Sequence, residues 1–408
     1  MRLNPETVLF TLFMAAIGAL PPLAIDMGLP ALGAIGHSLG TSPATAGLTL
    51  SLFMAGFGIG PLVAGPLSDR LGRKIPLAGG LLLFALGGVL AAAAPGIVTL
   101  LAARVVQGLG GGTGATLIYA IIRDLFEGRA AHRRIANVAV VSTTAPMVAP
   151  SIGAIVLPLL GWRAIYALPA VLAIALFALM LVVLPESLPP SGRRRGQVLP
   201  QLLEDVWLLL RTPAYVLSNA VNALSFAALF SYVSASPLVT MGTFGMTRPH
   251  YALLFACTSL CIITGAFLNG RIATRIRIPE QLLGIAVALT LLVGLVLVAL
   301  TLSGTLTLAA LVPLLLLANL FFGLGAASAA HSALEPMRRV AGTASGLLTT
   351  VQMGFGSLAS LLASALFPAL GTLAMTGCMA GFAGLSAICC VLLRRNGLRV
   401  LAGQGSLP

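Results

Sequence analysis

The sequence predicts an all-α, polytopic membrane protein whose twelve transmembrane helices form two pseudo-symmetric six-helix bundles. Three observations lead to this prediction. Hydrophobic residues make up 58% of the 408-residue chain and charged residues only 8%, whereas charged residues make up about a quarter of a soluble domain. The apolar residues fall into runs of about 20, the length that a helix needs to cross the hydrocarbon core. The basic residues collect on one side of these runs.

The apolar runs form two sets of six. They lie near residues 8–32, 48–67, 75–94, 98–120, 136–158 and 164–184, and then near 213–236, 250–270, 281–302, 306–330, 341–366 and 372–393. We therefore expect an N-terminal bundle over 1–184 and a C-terminal bundle with a short cytoplasmic tail over 213–408. Between them, the sequence predicts a cytoplasmic linker over 185–212. Leucine and valine recur there at helical spacing, which indicates a short interfacial helix within the linker.

The basic residues predict the orientation of the chain. If the N-terminus is cytoplasmic, all 23 bases except Arg104, Arg163 and Arg248 lie on the inner side or at the inner termini. This distribution follows the positive-inside rule and predicts a multi-pass protein of the cell inner membrane with both termini in the cytoplasm. It also accounts for the net charge of +13 without a nucleic-acid partner. The five cysteines all lie in apolar runs, so we expect free thiols and no metal site.

Two ionisable residues lie well inside the runs. Asp26 is about 9 Å from the outer end of the first run, at a rise of 1.5 Å per residue. Arg104 enters the fourth run from the same side, to a similar depth. Because an ionised group inside a membrane is costly unless it is paired or faces water, both residues are candidate functional groups. A purely structural ion pair is the alternative interpretation.

The stretch GPLSDRLGRK, residues 65–74, joins the second and third runs as a tight, charged turn. Gly72 suits a backbone with positive φ. Asp69 lies at the negative end of a helix dipole, so we expect it to contact the N-terminus of another helix, with a local turn cap as the alternative. The pattern resembles the signature loop of the major facilitator superfamily, and it matches at Gly65, Asp69, Arg70, Gly72, Arg73 and Lys74.

Two further stretches resemble motifs of the same superfamily. The Arg-x-x-Gln-Gly pattern that begins at Arg104 resembles the fourth-helix motif of proton-coupled members. Pro146, Pro150 and Gly153 resemble the fifth-helix motif of exporters, and prolines one turn apart predict a hinge. The glycines that follow Arg104 predict close helix packing, because no strand precedes them as it would in a phosphate-binding loop.

Five stretches narrow the resemblance to the bicyclomycin and chloramphenicol resistance (Bcr/CflA) type of drug:proton antiporter. This resemblance implies that Asp26 is the proton-responsive carboxylate and that Arg104 is its electrostatic partner or part of the proton relay. It also implies a conformational latch of Asp69, Arg70, Arg73 and Asp124, in which Asp69 meets the start of the eleventh span. The five stretches are AIDMGLPAL at 24–32, YAIIRDLFEG at 119–128, GWRAIY at 161–166, ALSFAALFSYVSASPLV at 223–239 and AGTASGLLTTVQM at 341–353.

The function that follows is proton-coupled antiport, by alternating access, that exports small and mostly apolar compounds or drugs. The expected partners are a small-molecule substrate, protons and the lipid bilayer; the chain is expected to act as a monomer, with the proton gradient as its energy source and no cofactor. A proton-coupled transporter of one specific metabolite remains the alternative. A membrane enzyme is set aside because the four histidines are scattered along the chain. The candidate cavity residues are Asn222, Phe226, Gln352, Met353 and Phe355.

Overall fold

A computed structural model describes residues 6–189, 198–273 and 279–404, and within them the chain forms helices and no strands. The first six helices are α1 Val8–Asp26, α2 Leu32–Ser38, α3 Pro43–Leu71, α4 Lys74–Ala92, α5 Ile97–Leu125 and α6 Gly128–Val183. A short helix α7, Val198–Leu210, follows. The remaining helices are α8 Pro213–Pro237, α9 Arg248–Ala273, α10 Pro279–Leu302, α11 Leu308–Leu334, α12 Ala341–Leu370 and α13 Thr372–Gln404.

The number of spans agrees with the sequence. In the described part of the chain, 11 helical segments are long and apolar enough to cross a membrane. The longest, α6, has 56 residues and contains one residue with non-helical backbone angles, Gly161, whose φ is +78°. Glycine tolerates this conformation without the steric penalty of a side chain. Because α6 is therefore two helices joined at Gly161, the twelve predicted spans are confirmed.

The first span is interrupted, which the sequence analysis did not anticipate. Helix α1 ends at Asp26, a 3-10 turn occupies Leu29–Ala31, and α2 continues the span. Pro30 provides a reason, because proline lacks the N–H that an α-helix needs at that position. Gly28, just before the turn, is also a weak helix former. Asp26 therefore lies at a helix end inside the span.

The charged stretch between the second and third spans is mostly helical rather than a turn. Helix α3 continues through Asp69 and Arg70 to Leu71, and α4 begins at Lys74. Only Gly72 and Arg73 form the connection, and Gly72 has a φ of +89°, as its sequence context predicts. The membrane side that holds this connection is called the arginine-rich side below.

The chain divides into two compact units. The first holds the residues up to Leu202 together with Thr247–Ala256, and the second holds Leu203–Met246 and the chain from Cys257 onwards. The division falls within α7, a helix that lies inside the segment for which a linker is predicted. Its Leu209 is buried, and its Asp205 accepts a hydrogen bond of 2.9 Å from Thr343 at the start of α12. The arginine run at 193–195, which is one of the signals for the orientation of the chain, lies outside the described residues.

Glycines bring the helices of the first unit close together. A Cβ atom at Gly108 or Gly112 of α5 would overlap the carbonyl oxygen of Phe53 or Phe57 on α3, and a Cβ at Gly56 would overlap that of Val105. The glycines after Arg104 are thus packing residues, as predicted. In the second unit, Gly265 of α9 and Gly323 of α11 make the equivalent close approaches to Leu320 and Ile262. The second and fourth helices of each half therefore cross through glycines, which supports the internal repeat.

Candidate functional site

Arg104 is the centre of a buried polar site in the first unit. Its side chain is 2% exposed. The guanidinium donates hydrogen bonds to the carbonyl oxygens of Ala24, at 3.0 Å, and of Thr49, at 3.2 Å. It also donates to Oε1 of Gln107, at 2.5 Å. All three acceptors are neutral oxygens, and they come from α1, α3 and α5.

The contact with Ala24 has a clear physical cause. The last four carbonyl groups of a helix have no intrahelical partner, and they carry the negative end of the helix dipole. Ala24 is two residues before the end of α1. A cation at that position satisfies an orphan acceptor and lies in a favourable field, so Arg104 caps the broken end of the first span.

Aromatic rings enclose the guanidinium on its remaining sides. The ring centroid of Phe53 lies 4.3 Å from Cζ of Arg104, and that of Tyr166 lies 5.3 Å away. Cation–π contacts of this kind gain strength where water is excluded. They hold the planar group in one orientation, in which its donors point at the three acceptors.

Asp26 lies next to this site without being paired to it. Its side chain is 5% exposed, and it lies two residues from Ala24, whose carbonyl binds Arg104, so the two ionisable groups share a level as expected. Between these two described side chains, however, the structure shows no salt bridge. The direct ion pair of the alternative interpretation is therefore absent between them, because Arg104 uses its donors on helix carbonyls and Gln107.

Gln107 completes the site. It is fully buried, and its side chain packs against Gly87 and Gly88 of α4. Its Oε1 accepts from Arg104, while its Nε2 has no hydrogen-bond partner in the described structure. Gln107 therefore orients the guanidinium through Oε1, while its Nε2 lies against Gly88.

The proposed hinge residues lie where α6 passes the end of α1. A Cβ at Gly153 would overlap the carbonyl oxygen of Met27, the residue that follows Asp26. Pro150 lies about one turn earlier and Pro146 about two turns earlier, and the backbone stays helical through both. Gly153 thus sets the distance between the fifth span and the break at Asp26, a role that its spacing from the prolines alone did not reveal.

A second polar cluster lies on the arginine-rich side. Arg73 donates to Asp69, at 2.7 Å, and to Asp124 at the end of α5, at 2.8 Å. It also donates to the hydroxyl of Ser68, at 2.6 Å. Partial burial opposes the charge of Arg73, but the hydrogen bonds to Asp124 and Asp69 outweigh it and raise the pKa of the guanidinium. Three of the four expected latch residues are thus brought together, while Arg70 is exposed to solvent.

Glu186 belongs to this cluster and was missed by sequence reasoning. One carboxylate oxygen accepts from the backbone N–H of Arg73, at 2.7 Å, and the other from that of Lys74, at 3.3 Å. These are the first N–H groups of α4, which have no intrahelical acceptor. Glu186 therefore caps α4 from a position over 100 residues away in sequence. In the sequence, the only indication of this role is that Glu186 directly follows Pro185 at the end of the sixth span.

The comparisons with known proteins agree with this architecture. A family model described as the Major Facilitator Superfamily matches residues 9–360. The chain belongs to the major facilitator superfamily. It is therefore a membrane transporter and not an enzyme.

Named relatives of this superfamily member share most of its length. The chain is 32% identical to the uncharacterized MFS-type transporter YdgK of Bacillus subtilis, over 88% of this chain and 89% of the relative. It is 30% identical to the bicyclomycin resistance protein homolog of Haemophilus influenzae, over 89% and 91% of the two chains. A solved bacterial homolog of the human lysosomal transporter Spinster has the same fold, with a TM-score of 0.73 at 17% identity, over 96% of this chain and 98% of the other.

The cavity residues predicted for this transporter occupy different environments in the second unit. Asn222 and Phe226 of α8 are buried, and Phe226 stacks near Phe230 with a centroid distance of 4.5 Å. Nδ2 of Asn222 has no hydrogen-bond partner in the described structure. Phe355 packs against a core cluster that includes Leu224. Gln352 and Met353 are partly exposed on α12.

Proposed function

We propose that this transporter is a proton-coupled antiporter that exports small, mostly apolar compounds from the cytoplasm across the inner membrane. The observation that carries the proposal is the buried carboxylate of Asp26 at the interrupted end of α1. Among the residues that the structure describes, it is the only acid deep within a span. A buried ionised carboxylate is costly, so water or substrate that reaches Asp26 changes how readily the side chain holds a proton.

The environment of Asp26 suits an exchange of proton for substrate. The hydrogen bonds of Arg104 to Ala24 and Thr49 do not involve the Asp26 carboxylate, so in this proposal they persist when Asp26 gains or loses its proton. In this proposal Arg104 holds the end of α1 in place and supplies a nearby positive field. Asp26 alone then takes up and releases the proton.

Two lines of support favour export of apolar compounds over transport of one metabolite. Charged residues are only 8% of the chain, and a carrier for a sugar or peptide needs many polar groups around its substrate. One relative is named a bicyclomycin resistance protein homolog, which makes antibiotics a reasonable first class of compound to test. The arginine-rich side faces the cytoplasm in this proposal, in line with the positive-inside rule.

Drug susceptibility tests the proposal. The chain is expressed in a bacterial host that lacks its own efflux pumps, and growth is measured against a panel of antibiotics that includes bicyclomycin and chloramphenicol. We expect a several-fold rise in the inhibitory concentration of at least one apolar compound. A matched host that contains the same amount of the Asp26→Asn variant in its membrane should show no rise in the inhibitory concentration. If the unaltered chain protects against none of the panel, drug export is contradicted and the single-metabolite alternative is favoured.

A further inference from the structure

A cleft on the arginine-rich side of the first unit is separate from both polar clusters. It has a volume of about 700 Å³ and lies between the start of α1 and the start of α6. One wall is the stripe Val8, Leu12 and Ala15 of α1, which recurs at helical spacing. The other wall is the stripe Arg133, Asn137 and Val140 of α6.

The apolar side chains that line the cleft are exposed. Val8 is 74% exposed, Leu12 54% and Val140 64%. From Val8 to Ala15 the α1 stripe extends about 10 Å along the helix axis, at 1.5 Å per residue. The cleft thus offers an apolar surface that begins at the membrane interface and runs into the depth of the hydrocarbon region.

Two arginines lie at the interfacial end. Arg134 crosses the base of the cleft, where it donates to the carbonyl oxygens of Glu6 and Thr7 and to the hydroxyl of Thr11, and it stacks on Phe126. Its acceptors are all neutral. Arg133 is exposed, and among the residues that the structure describes no carboxylate lies within salt-bridge distance of it. The carboxylate of Glu6 also lines the cleft, which leaves a net positive charge.

We propose that this cleft binds one anionic phospholipid, with the phosphate on Arg133 and Asn137 and the upper part of an acyl chain along Val8, Leu12 and Val140. The charge and the shape agree with this occupant. Basic pockets between transmembrane helices on the cytoplasmic side recognise anionic headgroups, and a positively charged rim above an apolar stripe suits an amphiphile better than a free anion.

Native mass spectrometry of the full-length purified protein tests the proposal. Phosphatidylglycerol and phosphatidylcholine are titrated in parallel, and the retained fraction of each is measured. We expect phosphatidylglycerol to be retained at least about fivefold more strongly, the ratio that one basic residue at a lipid surface contributes. Equal retention of the two lipids would overturn the proposal.

Variants of two neighbouring arginines separate this cleft from a diffuse charge effect. Arg133→Gln should lower phosphatidylglycerol retention to the level of phosphatidylcholine, and Arg133→Lys should keep most of it. Arg129, one turn earlier on α6, is exposed but does not line the cleft, so Arg129→Gln should change nothing. Equal losses in Arg133→Gln and Arg129→Gln would overturn the proposal, because they would show attraction to the surface as a whole.

One competitor and one variant test whether the occupant is a lipid. Inorganic phosphate at millimolar concentration should leave phosphatidylglycerol bound, because the acyl chain contributes to binding. Full displacement by phosphate would mean that the cleft holds a small anion instead. Leu12→Asn should weaken retention of long-chain phosphatidylglycerol more than that of a short-chain form. An equal effect on the two lipids would show that the apolar wall does not contact the acyl chain, which would contradict the proposal.

Discussion

At the residue scale, the contacts of Arg104 depend on the shape of its guanidinium as well as on its positive charge. Its guanidinium reaches acceptors on three helices, and one of them is a carbonyl at the end of α1. A lysine ammonium is a compact group on a single flexible stem and cannot reproduce this planar fork. The site therefore depends on arginine as such, and a positive charge alone does not replace it.

This dependence gives the first prediction. Arg104→Lys should lower transport substantially although the charge is kept, and Arg104→Ala should also shift the pH profile of substrate-induced proton release. Transport in vesicles and proton release in detergent are the measurements. Arg163→Lys is a suitable control, because Arg163 donates to the backbone of Ala94 and shares no hydrogen-bond acceptor with Arg104. An unchanged pH profile in Arg104→Ala would show that Arg104 and Asp26 are not coupled.

Glu186 gives the second prediction. Glu186→Gln keeps an acceptor oxygen but removes the negative charge from the N-terminus of α4, where the helix dipole favours an anion. Loss of such a cap costs about 0.5–2 kcal/mol, so the variant should unfold at a lower temperature. Glu204→Gln, an exposed acid on α7, is the matched control. Equal unfolding temperatures for the two variants would contradict the proposed capping role of Glu186.

At the element scale, the crossing of α3 and α5 rests on glycine. Gly112→Ala places a methyl group against the carbonyl oxygen of Phe57, and overpacking of this kind costs about 1–3 kcal/mol. The third prediction is a lower unfolding temperature for Gly112→Ala. In Gly79→Ala a Cβ would meet nothing within 4 Å, so this variant should be as stable as the unaltered protein or slightly more so. Equal losses in both variants would contradict close packing at Gly112.

The elements also show what the sequence could and could not reveal. Span number, the Gly72 turn and the linker helix follow from hydropathy, glycine and periodicity, which are local properties. The end of α1 at Asp26 was missed because the run 8–32 is apolar throughout apart from Asp26, and hydropathy does not register a change in backbone geometry. The cap on α4 was missed for a different reason. Glu186 and Arg73 are remote in sequence, and only folding brings them together.

At the scale of the whole molecule, Asp69 gives the fourth prediction. In this structure it is held by Arg73, and we expect it to bind the N-terminus of α12 whenever the cytoplasmic side is closed. Asp69→Asn should then shift the population toward the inward-open state by about 1–3 kcal/mol. Spin labels on the C-terminal end of α3 and the N-terminal end of α12 report this change as longer distances. An unchanged distance distribution would leave Asp69 as a local cap only.

The counterpart of Asp69 in the second half of the chain makes different contacts from those expected of a latch. Asn269 takes the place of Asp69 in the second half, and the repeat symmetry alone would have it face the start of the fifth span. Instead its amide donates to the carbonyl oxygen of Leu324 and to the hydroxyl of Ser328, both on α11, at 2.6 and 2.7 Å. The second-half residue is thus committed to its own unit. We therefore expect Asn269→Ala to affect stability more than conformational balance.

The coupling of substrate to protons through Asp26 is tested most directly in proteoliposomes. The purified protein is reconstituted, a pH gradient is imposed in either direction, and movement of a compound identified by the susceptibility screen is followed together with internal pH. We predict that the compound moves against the direction of proton flow, and that Asp26→Asn abolishes gradient-driven movement while the protein remains folded and inserted. Undiminished gradient-driven transport by Asp26→Asn would contradict the account.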